Sequence, residues 1–235
     1  MELGNMMGGF YKVSVWVLRF LLTNLIWLLF NVPIVLVGMN FLSADLSDLL
    51  VLTLTIAVLA PFILFPATTA LFGVVRKWVM GDAEIPIFTT FLTCYKENYL
   101  RSMIGGVVFG LVWIGWAMNY YLFVYENPGL AVVIYSLFTM ILFTWTVYFF
   151  SYNVHFEVPF LTSVKNSFIL AVGRPFSVLG VVMVNGVIVY ISTTLTFLFP
   201  FFIGSITAFL SFMFFYRLAQ KAIYQQSAKP VMQEL

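Results

Sequence analysis

Few residues of this chain are of a type that does chemistry. It has one cysteine, Cys94, and one histidine, His155. A lone thiol offers no disulfide framework and no Cys-rich metal set, and is expected to be buried and inert. A lone imidazole beside Glu157, with no further ligands, reads as an interfacial polar group rather than a metal centre. No Walker-type glycine loop, no His-Glu-x-x-His and no nucleophile elbow occurs. Nucleotide hydrolysis and the familiar hydrolytic reactions therefore have no residues to run on, and the chain is expected to be non-enzymatic, with no cofactor and no metal. What remains is charge. Arg76, Lys77 and Trp78, then Glu84, Pro86, Lys96 and Arg101, form one cluster, and Glu157, Pro159, Lys165 and Arg174 form a second. Basic residues beside apolar stripes recognise a partner protein or anionic lipid, so these are the candidate docking or interfacial residues.

The elements that position them are set by composition. With 63% hydrophobic and 9% charged residues, and a mean hydropathy of +1.04, the chain is far from the roughly 25% charge of soluble domains. Uncharged runs occupy 20–42, 49–75, 102–125, 129–152 and 176–216. Each of the first four exceeds the roughly 20 residues that a helix needs to cross a bilayer. The last would reach about 60 Å as one helix, twice the hydrocarbon thickness, so it must turn back. Pro200 lacks an N–H and restricts Phe199 before it, which puts a tight turn there. The expectation is an all-α polytopic membrane protein, one domain over 1–235. Its six crossings are 20–42, 49–75, 102–125, 129–152, 176–198 and 201–216.

All eleven Lys and Arg fall in alternate connections. Lys12 and Arg19 precede the first crossing, Arg76, Lys77, Lys96 and Arg101 follow the second, Lys165 and Arg174 follow the fourth, and Arg217, Lys221 and Lys229 end the chain. The connections around Asp45 and Asp48, around Glu126 and at Pro200 have none. The positive-inside rule then predicts both ends in the cytoplasm. The first apolar run is long enough to span, and the start lacks a cleavage pattern, so it is expected to be retained. The formal charge of +2 is distributed for topology, and nothing supports a nucleic-acid partner.

Two of the cation-bearing loops are patterned like helices. Phe88, Phe91, Tyr95 and Tyr99 recur at helical spacing within 85–101, as do Leu161, Val164, Phe168 and Val172 within 158–174. Both are expected to lie at the membrane surface as amphipathic helices. They align at a constant offset of 73 residues, Glu84-Ile85-Pro86 on Glu157-Val158-Pro159 and Arg101 on Arg174. Internal duplication and convergence on the same helix-capping pattern both account for this.

Inside the crossings the polar residues are neutral. Asn24, Asn31, Asn40, Asn119 and Asn185, with Thr68-Thr69 and Ser192-Thr193-Thr194, are expected to serve interhelical hydrogen bonds, the alternative being a path for a neutral solute. Pro61 and Pro66 should kink the second crossing, with threonine hydroxyls bonding the freed carbonyls. Gly106-x-x-x-Gly110 and Gly204-x-x-x-Ala208 permit close helix contact.

Met7-Gly8-Gly9-Phe10-Tyr11-Lys12-Val13-Ser14, Phe65-Pro66-Ala67-Thr68-Thr69-Ala70-Leu71-Phe72-Gly73-Val74-Val75-Arg76-Lys77-Trp78, and Gly81-Asp82 followed by Ile85-Pro86-Ile87-Phe88 resemble the YesL family of bacterial membrane proteins, a domain of unknown function. The resemblance implies an accessory role in carbohydrate uptake at the bacterial cell membrane, beside an ABC importer. It assigns no catalytic or binding residue, and the chain lacks the Glu-Ala-Ala loop of importer permeases. Three partners are thus expected or open: membrane lipid, a carbohydrate ABC importer, or a second copy of the chain. A small transporter or channel for a neutral polar solute is the alternative function.

Overall fold

Long apolar stretches punctuated by a few prolines and glycines make helices that end where the punctuation falls. In a computed structural model of the chain, nine α-helices follow one another, with no strand among the described residues. The structure describes the backbone of 2–124 and 129–233, and side chains over 11–45, 47–124 and 129–221. The expected connection at Glu126, the end of the third crossing at Tyr125, and the side chains of Lys229 and of Met7 to Phe10 lie outside these residues.

The first expected crossing, 20–42, is two helices, α1 (Glu2–Phe30) and α2 (Val32–Asn40). Pro33 sits in the first turn of α2, where its missing N–H is harmless but would have interrupted a continuous helix. The apolar stretch of α1 long enough to cross is Tyr11–Phe30, which begins before the expected boundary and contains Lys12 and Arg19. Lys12 and Arg19 thus lie on the same continuous helix as the first apolar run. Helix formation does not stop at a charge when a long side chain can carry it aside, and the Arg19 guanidinium lies 5.1 Å from the Trp16 ring.

The second expected crossing is also a pair, α3 (Leu46–Leu59) and α4 (Leu64–Val79), bent by 54° at the break between them. Pro61 lies in the break and Pro66 in the first turn of α4. The carbonyl that Pro66 cannot engage, that of Phe62, accepts instead from the Tyr99 hydroxyl at 3.3 Å. The expected threonine hydroxyls are used elsewhere: Thr68 accepts from Trp27 Nε1 at 3.2 Å and Thr69 from Ser102 at 2.8 Å.

The largest departure is α5, Ile87–Asn119, which runs on into a π-helical turn at Tyr120–Val124. The expected surface helix 85–101 and crossing 102–125 are one continuous helix of 38 residues, about 57 Å long at about 1.5 Å per residue. Between Lys96 and Ile104 there is neither proline nor glycine, so the local sequence supplies no stop.

Then come α6 (Leu130–His155), α7 (Phe160–Gly173), α8 (Pro175–Thr194) and α9 (Leu198–Gln233). α7 is the separate short helix expected over 158–174, because Pro175 keeps Arg174 out of helical geometry at φ −136°, ψ 73°. The last reversal falls at 195–197, and Pro200 belongs to the first turn of α9 rather than to the turn itself. Among the described residues five helices are long and apolar enough to cross a membrane, and α3 with α4 makes a sixth if the bent pair is one span.

α4 is the hub. It packs on α1, α5, α6 and α9 and buries Phe65, Leu71, Phe72, Val74, Val75 and Trp78. Its neighbour α5 approaches closely because Gly106 lets the chain pass the Pro61 Cα, where an added Cβ would sit 2.6 Å away. Gly110, the other half of that motif, has nothing within 4 Å. Gly204 faces Asn24 and Trp27 of α1.

A charged cleft between α4, α5 and the α6–α7 junction

The last turn of α4 carries Arg76 and Lys77, where cations complement the helix dipole. On α5, Cys94, Glu97, Asn98 and Arg101 follow at spacings of three and four, which puts them along one face. Asn153, Val154 and the loop Phe156 to Pro159 close the third side. Together these segments line a cleft of about 550 Å³. Gly73 sets its narrow edge, since a Cβ there would lie 2.6 Å from the Cys94 Sγ.

Below the charges lies a buried hydroxyl and amide chain. Asn153 Nδ2 donates to Ser102 at 3.3 Å, and Ser102 donates to Thr69 at 2.8 Å, joining α6, α5 and α4. The Asn153 Oδ1 is buried without a partner. Arg101 crosses the cleft wall: its Nη2 donates to the Val158 carbonyl and to the Ser163 hydroxyl, tying α5 to the start of α7. Its Nε is buried and unpaired, as is that of Arg76. Lys77 is half-buried, while Glu97 and Glu157 are exposed at the rim. None of these five charged groups forms an ion pair with another described residue.

The structure thus brings Arg76, Lys77, Arg101, Glu157 and Pro159 of the expected residues together. Trp78 is a correction. It is 4% exposed and packs edge-on against Trp16 and Phe20 at 5.8 and 5.6 Å, so it belongs to the core and cannot dock a partner. Glu84 and Pro86 are exposed at the start of α5, Lys96 and Lys165 are exposed on α5 and α7, and Arg174 occupies the α7–α8 break; none of them lines the cleft. Cys94, Asn98 and Asn153 were not among the expected residues. The spacing from Cys94 through Asn98 to Arg101 was a legible signal, whereas Asn153 is recognisable only once α6 is packed.

The α7 stripe is turned the other way from an amphipathic helix on a core. Ser163, Ser167 and Ala171 are buried toward α6, and Leu161 and Phe168 are 77% and 43% exposed. Small residues allow the close packing, while Val164 packs on the core and Phe168 lies edge-on to Trp145 at 4.9 Å. His155 is boxed by Phe156, Phe212, Phe215 and Tyr216 at 4.6 to 6.0 Å. Among the described residues no group of three His, Cys, Asp or Glu could hold a metal ion.

Two of the five asparagines join helices, and the other three bond their own segment. Asn24 donates to the Pro200 carbonyl at 2.7 Å and accepts from the Ser205 N–H at 3.0 Å, joining α1 to α9. Asn185 donates to Ser211 at 2.9 Å, joining α8 to α9. Asn31, Asn40 and Asn119 each bond the carbonyl four residues back on their own chain segment.

A family model described as "Protein of unknown function, DUF624" matches residues 20–120. Three proteins of Bacillus subtilis (strain 168), each described as uncharacterized, are similar to the chain. YteU is 28% identical over 98% of this chain and 93% of its own. YesV is 30% identical over 64% of this chain and 73% of its own. YesL is 26% identical over 94% and 96%. No solved structure matches. A membrane protein of long apolar helices, matched from end to end by YteU and YesL, this chain belongs to the DUF624 family of proteins of unknown function.

Proposed function

We propose that the chain is an accessory or regulatory protein of the bacterial cell membrane, not an enzyme, acting through the charged residues of α5 and α7. The observation that carries this is the exposure of Glu84, Lys96, Glu157 and Lys165, none of which is used in an ion pair with another described residue. Charges left free on matched segments are available to a partner, and they steer its approach. By the positive-inside rule this surface faces the cytoplasm, with both chain ends on the same side. The partner we favour is a carbohydrate ABC importer, a choice that rests on the family resemblance; a second copy of the chain and anionic lipid are the others.

Copurification from native membranes in mild detergent, followed by mass spectrometry, tests the reading. Importer subunits should be recovered with the wild type and depleted with a Lys96→Glu/Lys165→Glu variant. Recovery of the protein alone at native expression overturns it. Orientation is tested by an impermeant thiol reagent on Cys94, which should label only after cell lysis.

The 54° break between α3 and α4 favours a second reading, a small transporter for a neutral solute, since broken helices build such sites. The bonding of Asn24 and Asn185 across helices counts against it. Solute flux in proteoliposomes holding the purified protein alone would replace the accessory reading.

A further inference from the structure

We infer that the cleft between α4, α5 and the α6–α7 junction binds a phosphoryl group, as a phosphomonoester or phosphodiester. Two guanidinium groups and one ammonium converge there, from Arg76, Arg101 and Lys77. The Arg76 side chain makes no hydrogen bond to a described residue, and the Nε atoms of both arginines are buried without a partner among those residues. The Nη groups of Arg76, on a half-buried side chain that lines the cleft, are the donors free to take an anion's oxygens. Phosphate oxygens match the planar arginine fork, which neither a carbonyl nor a hydroxyl does as well.

The remaining lining narrows the ligand. Glu97 and Glu157 lie at the exposed rim, so a polyphosphate would meet repulsion as its outer charges entered. A single phosphoryl group carrying hydroxyl or amino substituents would not, because the two carboxylates accept hydrogen bonds from them. A volume of about 550 Å³ is within the usual range of small-ligand sites, about 300–1,000 Å³, and larger than bare phosphate needs. A phospholipid headgroup and a soluble sugar or polyol phosphate share this chemistry. The inference does not depend on the docking proposal, and copurification would be unaffected by its failure.

Cys94, expected to be buried, is partly exposed; it is the sole cysteine and part of the cleft lining, so its labelling reports occupancy. The experiment follows maleimide modification of Cys94 in the delipidated full chain, held in a phosphate-free sugar detergent. One arm adds glycerol 3-phosphate; the other adds phosphatidylglycerol to the micelles. Protection in the first alone identifies a soluble ligand, and protection in the second alone a lipid headgroup. Arg76→Gln should weaken the protecting ligand about tenfold, the loss of one charge-assisted bond. Lys77→Gln is measured in parallel, so that misfolding of the arginine variant does not hide the answer. Unchanged labelling in both arms overturns the inference, as does equal protection of the Arg76→Gln/Lys77→Gln double variant.

Discussion

The segments 85–101 and 158–174 start alike and finish differently. In both, a proline caps the helix, Pro86 before α5 and Pro159 before α7. In both, its carbonyl accepts the first turn's bond, from Thr90 N–H at 3.0 Å and from Ser163 N–H at 3.1 Å. The shared Glu-x-Pro start therefore has the same local structure twice. At the other end, Arg101 is followed by Ser102 and the helix continues, whereas Arg174 is followed by Pro175 and the helix breaks. The matched arginines diverge with it: Arg101 ties α5 to α7, and Arg174 makes no side-chain bond to a described residue. One residue after each arginine decides whether a surface segment and a crossing form one rod or two.

Four substitutions and two controls would break or sharpen that contrast. Ser102→Pro should have the largest effect, about 3 kcal/mol or more, because it removes a backbone bond inside α5 and clashes with the preceding turn. Ser102→Ala is its control and should cost about 1–3 kcal/mol, the loss of the bond to Thr69 and of the one from Asn153 with the backbone left intact. Denaturant unfolding in mixed micelles compares the two, and similar losses would mean that the backbone continuity of α5 contributes little. Arg101→Gln should cost about 1.5–3 kcal/mol by the same measurement, since it frees the Val158 carbonyl and the Ser163 hydroxyl from a charged donor.

Gly106→Ala should cost about 1–3 kcal/mol, because the added methyl meets the backbone of Pro61. Gly110→Ala, with open space around it, should be neutral or stabilise by about 0.5–1 kcal/mol through helix propensity. Equal effects of the two would show that α5 does not depend on its close approach to the α3–α4 break. Arg174→Gln should have the smallest effect, within about 0.5 kcal/mol. A loss matching that of Arg101→Gln would mean the two arginines do equivalent work after all.

Chain-local features account for what could be read in advance. Apolar length foretold α6 and α8 to within a few residues, and the prolines marked the broken second span and the start of α7. The failures have local causes too. Pro33 was a stop hidden within an uncharged run, and the absence of any stop near Arg101 was masked by a change from amphipathic to apolar pattern. A change in surface chemistry alters what a helix touches, not whether it continues. Trp78, beside Arg76 and Lys77 in sequence, points instead toward α1, because successive helical residues face about 100° apart.

From sequence alone it follows that this is a helical membrane protein with its cations sorted into alternate connections, because apolar length and charge placement act locally on each segment. Only tertiary structure decided which of those cations meet. Arg76 and Lys77 line one cleft with Arg101 and Glu157 because Gly73 admits Cys94 and because Ser102 bonds both Thr69 and Asn153. Contacts among α4, α5 and α6 depend on side-chain volumes and hydrogen bonds between segments far apart in the chain. No periodicity within one segment carries that information.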